Sequence, residues 1–260
     1  MGTAEIQGEL WGRAPQDWTF IQEPLHKPLW EAMMDAAQVS SGTRMLDAGC
    51  GGGGASVLAA ERQAKVSGLD AAAGMIQIAR QRIPKGDFRV GDIEYLPYAD
   101  HEFDAVIAAN SLQYAGDRIQ ALREFRRVCR PGGRVVVGLF GSPEKVSFGT
   151  IFAAVRDVLP EPPPDGAGPF ELSADGKLGS LFIAAGLPVI QEDEVDCPFH
   201  YPDFATFWRG QYAAGPFRRV VETVGEGKMQ VVLQKAMEVF RVDNGAYHIQ
   251  PNIFRYVMSS

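Results

Sequence analysis

Residues 47 to 54 read Asp-Ala-Gly-Cys-Gly-Gly-Gly-Gly, and few folds can absorb such a run. Glycine weakens the interior of a helix or strand, so this stretch has to be a loop that takes positive φ or brings the backbone close to a ligand. Its flanks say which kind. Arg44 to Ala48 (R-M-L-D-A) reads as a short strand, and about Ala55 to Gln63 as a helix. A strand, a glycine loop and a helix in that order aim free N–H groups and a partial positive charge at whatever the loop faces. Gly49, Gly51 and Gly54 also satisfy G-x-G-x-x-G, a spacing shared by many nucleotide and dinucleotide binders.

The same alternation continues downstream. Strands are expected at Lys65–Asp70, Phe88–Val90, Phe103–Ala109 and Arg134–Leu139. Helices are expected at about Ala72–Arg82 and Asp117–Cys129, the latter from Ile119, Leu122, Phe125 and Val128 recurring every three residues. Pro131-Gly132-Gly133 is expected to turn before the fifth strand. Alternating strands and helices imply parallel pairing with right-handed crossovers. Before this core, residues 1–40 read as an N-terminal cap with a helix from about Glu23 to Gln38. After it, residues 141–260 divide into a helix at Pro143–Leu159, a rigid connector at 161–166, a helix at Leu178–Ala185 and a sixth strand at Val189–Cys197. Helices at Pro202–Tyr212 and Met229–Phe240 and a last strand at Asn252–Val257 complete it. The core strands are thus interrupted by two insertions, about 141–177 and 199–245.

Composition excludes several classes. The net charge of -7 gives no basic surface for phosphate backbones, so no nucleic-acid partner is expected. Cys50, Cys129 and Cys197 are scattered and odd in number, which indicates neither a zinc site nor a disulfide framework. No metal is expected. Met1 to Leu10 has no apolar core of a signal peptide, and no run of about 18 apolar residues could span a membrane. A cytoplasmic, soluble protein is the expectation.

Polar residues recur where the strands end. Asp47 closes the first strand. Asp70 closes the second, about twenty residues after the glycine loop, where an acid can accept from both ribose hydroxyls or cap the following helix. Gly91-Asp92-Ile93 follows the third strand, where an acid can accept from an adenine amino group and Ile93 can pack on the ring. Asn110 closes the fourth. Ligands of open α/β sheets sit at these carboxyl ends.

With L-D-A-G-C-G-G-G (46–53), G-L-D (68–70), G-D-I-E-Y-L-P-Y-A-D-H-E-F-D (91–104) and R-R-V-C-R-P-G-G-R-V-V-V (126–137) in place, the chain resembles the class I methyltransferases that use S-adenosylmethionine (SAM). Within them it resembles the small-molecule subgroup of the ubiquinone/menaquinone-biosynthesis type. The motifs cover roughly residues 40 to 140. The resemblance implies a Rossmann-like, doubly wound α/β fold: a seven-stranded, mostly parallel sheet with an antiparallel last strand, plus helical cap insertions. It implies SAM as cofactor and S-adenosylhomocysteine (SAH) as product. It places Gly49 and Gly51 beside the methionine part, Asp47 near its ammonium, Asp70 at the ribose, and Asp92 and Ile93 at adenine, with Ala71 among the further cofactor contacts. The Asn110 backbone falls at the methionine moiety, and Trp18 on the N-terminal segment can close over the cofactor.

The acceptor half is thinner. The aromatics of the insertions, such as Phe148, Phe199, Phe207 and Trp208, suggest a hydrophobic or aromatic small-molecule acceptor, or simply a core for the cap. Candidates to act on it are His200, at the end of the sixth strand, and Gln113 and Tyr114, after the fourth. His26, His101 and His248 are the other histidines. Two further readings remain at this stage: a SAM-binding protein without catalysis, and an NAD(P)-dependent oxidoreductase sharing the glycine loop and Asp70. Oligomeric state leaves no mark on the sequence.

Overall fold

A computed structural model describes residues 3–161 and 168–260. Residues 162–166 of the expected connector lie outside it.

The N-terminal segment comprises α1 (Ala4–Trp11), the short α2 (Pro15–Asp17), one π-helical turn (Trp18–Gln22), a 3-10 turn (Glu23–His26) and α3 (Lys27–Ala36). The core then alternates β1 (Arg44–Ala48), α4 (Gly54–Glu61), β2 (Lys65–Asp70), α5 (Ala73–Arg82), β3 (Asp87–Val90), β4 (Phe103–Ala109), α6 (Arg118–Val128) and β5 (Cys129–Phe140). The remainder holds α7 (Gly149–Arg156), α8 (Lys177–Ala184), β6 (Val189–Asp196), β7 (Phe199–Tyr201), α9 (Phe204–Ala213), α10 (Gly215–Val224), α11 (Glu226–Met237), β8 (Tyr247–Ile249) and β9 (Ile253–Ser259).

Seven strands form one sheet in the order β3-β2-β1-β4-β5-β9-β6. β9 runs antiparallel to both of its neighbours, and the pairs from β3 to β5 are parallel, so the expected sheet is present. Strand order reverses between β1 and β4, and such a reversal opens a crevice at the carboxyl ends of those two strands. Both faces are covered. Met45 and Leu46, adjacent on β1 and pointing opposite ways, each have 0% exposure and belong to separate cores on the two sides. Burying a side chain of that size contributes about 1.5–3 kcal/mol.

The structure departs from the sequence expectations at several points. Pro131-Gly132-Gly133 does not separate α6 from a strand starting at Arg134. β5 already pairs at Cys129 with Phe103 and pairs again at Arg134 with Ala105, so the Pro-Gly-Gly segment is a bulge within one strand. Gly132, at φ +73°, makes the bulge possible. The expected helix over Pro143–Leu159 is broken into a 3-10 turn (Pro143–Lys145) and α7. Between them Val146 bridges Asn252, and the Phe148 N–H donates to the buried Asn252 Oδ1 at 2.9 Å. These long-range bonds hold the intervening backbone extended. α10, absent from the sequence reading, fills part of the second insertion. β7 and β8 form a separate two-stranded ribbon.

One contact fastens this cap to the N-terminal segment. The Tyr201 hydroxyl on β7 donates to Gln22 Oε1 at 2.8 Å, and both residues are buried. Tyr201→Phe leaves that oxygen without a partner, at a cost of about 1–3 kcal/mol. The expected result is a lower urea midpoint with an unchanged m value; an unchanged midpoint would mean that this bond carries no stability.

Candidate functional site

A cavity opens at the carboxyl ends of β1 to β4. The glycine loop forms its floor, and the N-terminal segment closes it from above. The loop is anchored to β2, because the N–H groups of Gly49 and Cys50 both donate to the Leu69 carbonyl, at 2.7 and 3.0 Å. Gly49 sits at φ +83°, and a Cβ on it would lie 2.2 Å from the Ser111 Cβ. A Cβ on Gly52 would lie 2.0 Å from Thr19 Oγ1, on the π-helical turn. The glycine run is therefore squeezed between β4's terminal loop on one side and the N-terminal segment on the other.

Four strand ends deliver polar groups to this cavity. Asp47 accepts from Ser56 Oγ at 2.7 Å. Its burial pushes the carboxyl up to about 7, with the nearby Asp70 charge adding to the effect. Asp70 accepts from the Gly51 N–H at 2.9 Å and from the Ala72 N–H at 2.8 Å, so it ties the loop to the start of α5 while also lining the cavity. Its pKa is raised by burial, against the pull of those two N–H groups. Asp92 accepts from the Glu94 N–H through Oδ1. Asn110 adopts φ +52°, and its buried Oδ1 has no partner among the described residues. A buried amide oxygen left unpaired is costly unless a ligand or water meets it.

Every residue expected at the cofactor lines this one cavity: Asp47, Gly49, Gly51, Asp70, Ala71, Asp92, Ile93, Asn110 and Trp18. The candidates for the acceptor side scatter. Tyr114 lines the cavity, edge-on to Trp11 at 5.6 Å, and burial pushes its hydroxyl up to about 12. Gln113 is buried but does not line it. His200 does not line it either. The residue lies on the β7–β8 ribbon, not at the end of β6, and is exposed, facing His248 at 6.0 Å between ring centroids. A three-residue strand follows Cys197 so closely that the sequence gives no sign that β6 has ended. The insertion aromatics do not line the cavity. They pack on one another, as in Phe148–Phe199 and Tyr201–Phe207, each at 5.2 Å.

The walls that replace them come from the N-terminal segment: Thr3, Trp11, Glu23, His26 and Trp30. Glu23 is the largest omission of the sequence reading. Its Oε1 accepts from the Gly52 N–H at 2.6 Å, and its Oε2 meets Arg82 Nη1 at 3.0 Å. The same Arg82 nitrogen donates to the Gly52 carbonyl at 2.8 Å. One carboxylate and one guanidinium thus grip both polar groups of a single glycine. Burial pushes Glu23 up to about 7, and Arg82 opposes the shift. From sequence, Glu23 was only an acid at the start of a helix.

Residues 46–137 match the family model described as a methyltransferase domain. That segment, from Leu46 to Val137, is similar to methyltransferase domains. A demethylmenaquinone methyltransferase from Renibacterium salmoninarum is 37% identical to it over 120 residues, covering 46% of this chain and 51% of that protein. The chain spans about half the length of the curated relatives it matches. Among solved structures, the [4+2]-cyclase SpnF superimposes with a TM-score of 0.58 at 20% identity, covering 89% of this chain and 79% of that one. A SAM-dependent methyltransferase from Aquifex aeolicus gives 0.53 at 18% identity, covering 70% and 92%. These last two likenesses speak for the fold alone. No helix among the described residues is long and apolar enough to cross a membrane.

Proposed function

We propose that this chain binds SAM in the cavity above the glycine loop and transfers its methyl group to a small-molecule acceptor. The observation that carries the reading is convergence: Asp47, Asp70, Asp92 and Asn110, from four different strand ends, line one cavity beside the loop. The residues fit the cofactor. Gly49 has no room for a Cβ, and the buried Asn110 Oδ1, without a partner among the described residues, can accept from a ligand donor. Asp47 offers its carboxylate to an ammonium, and Asp70 keeps lone pairs for ribose hydroxyls beyond its two backbone bonds. Asp92 can receive an adenine amino group, with Ile93 and Ala71 against the base. The name of the Renibacterium relative supports a small-molecule acceptor.

SAM supplies a methyl group on a sulfonium, already an activated electrophile. What the protein adds is alignment of the acceptor and exclusion of water, and positioning of this kind can contribute about 7–11 kcal/mol. The test is calorimetric titration with SAM, with SAH and, as a control, with NADH. Binding of SAM and SAH but not NADH is the expected result. Failure to bind SAM, or tight binding of NADH, would overturn the reading. The cyclase among the similar folds gives one second reading a footing, in which SAM is bound but no methyl group moves. Labelled SAM that never yields labelled product with phenols, amines or quinols, despite binding, would favour that alternative.

A pH dependence follows from Asp47. Burial pushes its carboxyl up to about 7, whereas an ammonium beside it favours the ionised form. Binding therefore releases a proton when the pH lies below about 7. SAM affinity should rise with pH, by at most about tenfold per pH unit between about pH 5 and 7, and flatten above. Glu23, also titrating near 7, adds to the slope if its ionised form grips the loop more firmly. Asp47→Asn should bind more weakly and lose most of the slope. Calorimetry across pH in buffers of different ionisation enthalpy checks both; an unchanged slope in the variant removes Asp47 as the cause.

A further inference from the structure

His26 lines the same cavity from above. Its Nδ1 lies 3.1 Å from the Gln22 carbonyl oxygen. A carbonyl only accepts, so Nδ1 carries the hydrogen, and a neutral imidazole then leaves its lone pair on Nε2. The Gln22 bond is the one hydrogen bond the ring makes within ordinary distance among the described residues, with the Glu23 carbonyl also near it. Four aromatic rings surround the imidazole: Trp18 and Trp30 lie 6.3 and 6.2 Å away at interplanar angles of 32° and 30°, and Phe199 and Phe254 meet it edge-on at 5.5 and 5.3 Å. Gln22 is itself fixed through Tyr201. The π-helical turn, a feature that often marks functional sites, carries Trp18, the 3-10 turn after it carries His26, and both residues line the cavity.

Other groups around the cavity are engaged elsewhere. Asp70 accepts two backbone N–H groups, Glu23 grips Gly52 and Arg82, and Asp47 accepts from Ser56. Burial raises the pKa of Tyr114 and Cys50, so neither is an anion near neutrality. Burial also holds His26 down to about 4, so it meets a ligand as neutral imidazole.

We propose that His26 is the catalytic residue on the acceptor side, its Nε2 taking the proton of a phenol-like hydroxyl as that oxygen is methylated. This inference rests on the methyl-transfer reading above. The acceptor oxygen bonds to the methyl carbon while the carbon–sulfur bond breaks and its electron pair stays on sulfur. The hydroxyl proton passes to Nε2. Positive charge moves from sulfonium to imidazole, so the net charge of the cavity does not change during the step. The imidazolium then gives its proton to water when the product leaves. Trp18 and Trp30 line the cavity beside His26, and their flat rings make a flat aromatic acceptor the fitting class.

The test uses the full chain loaded with SAH and titrated with para-nitrophenol, whose absorption reports hydrogen bonding of its hydroxyl. In the wild type the absorption of the bound phenol should shift to longer wavelength as its hydroxyl donates to Nε2. His26→Ala should lose the shift, and His26→Gln, which accepts a hydrogen bond but not a proton, should keep part of it at most. SAH affinity should be unchanged in both variants. Turnover of labelled SAM with the same phenol should fall by about 10²–10⁴-fold. In the wild type, nitrogen NMR of labelled histidine should move one Nε2 resonance on phenol addition, a readout that needs no variant to fold. A spectral shift that survives both substitutions, no phenol binding to the SAH-loaded wild type, or an Nε2 resonance that stays put would each overturn the proposal. Loss of SAH binding in the variants would reassign His26 to the cofactor. A wild type that binds neither SAM nor SAH fails the methyltransferase reading itself, a result distinct from all of these.

Discussion

Asp70→Ala should weaken SAM binding by about a hundredfold or more. The carboxylate has two duties in the structure: it holds the Gly51 and Ala72 N–H groups, and its remaining lone pairs face the cavity. Hydrogen bonds to a charged group contribute about 1.5–3 kcal/mol each, and about 1.4 kcal/mol is tenfold in affinity. Losing even two such bonds to the ribose accounts for the expected drop, before any slackening of the loop. Asp70→Asn, which keeps the shape and one acceptor oxygen, should fall between. Calorimetry with SAM measures both, and thermal unfolding of the free proteins separates a loosened fold from a lost ligand contact. An affinity within about threefold of the wild type would remove Asp70 from the cofactor site.

Gly49→Ala should be among the most damaging single-methyl changes in the core. The added carbon would sit 2.2 Å from the Ser111 Cβ and 2.8 Å from its Oγ, at a φ of +83°. Ser111 cannot simply turn away, because its hydroxyl donates to the Ala48 carbonyl at 2.7 Å. The left-handed backbone costs about 1–2 kcal/mol and overpacking about 1–3 kcal/mol, so a loss of about 2–5 kcal/mol in urea unfolding is expected. Ser111→Gly added to Gly49→Ala should restore the steric share and leave the backbone share. A double-mutant cycle with no coupling between the two sites would show that the close approach is not what demands glycine there.

The parts of the molecule legible in its sequence are those whose cause is local. β1, β2 and β4 begin and end as expected because an apolar run and a terminal acid or amide suffice to delimit them. That Asp47, Asp70, Asp92 and Asn110 line one cavity was legible for the same reason: they sit at strand ends, and strand ends of a parallel sheet share one edge. The rest was hidden because its cause is distant. Val146 is pulled out of a helix by Asn252, more than a hundred residues away. The ribbon pairs Phe199 with Ile249 through strands too short to carry a period. Glu23 looks like an ordinary acid in a helix's first turn until the fold sets it against Gly52. The insertion aromatics misled because size and apolarity alone do not distinguish a pocket wall from a cap's own core.

The Glu23–Gly52–Arg82 grip has a consequence for how such chains diversify. A third of the described cavity-lining residues, from Thr3 to Trp30, precede residue 46, where the recognisable family segment begins. A boundary drawn by similarity would therefore cut through the ligand's own walls. An exchange of residues 46–137 between related chains would carry the floor of the cavity but not its roof, and would separate Glu23 from both of its partners. The roof of the cavity is thus a part that can vary separately from the glycine loop beneath it only if Glu23 keeps a partner in the new floor.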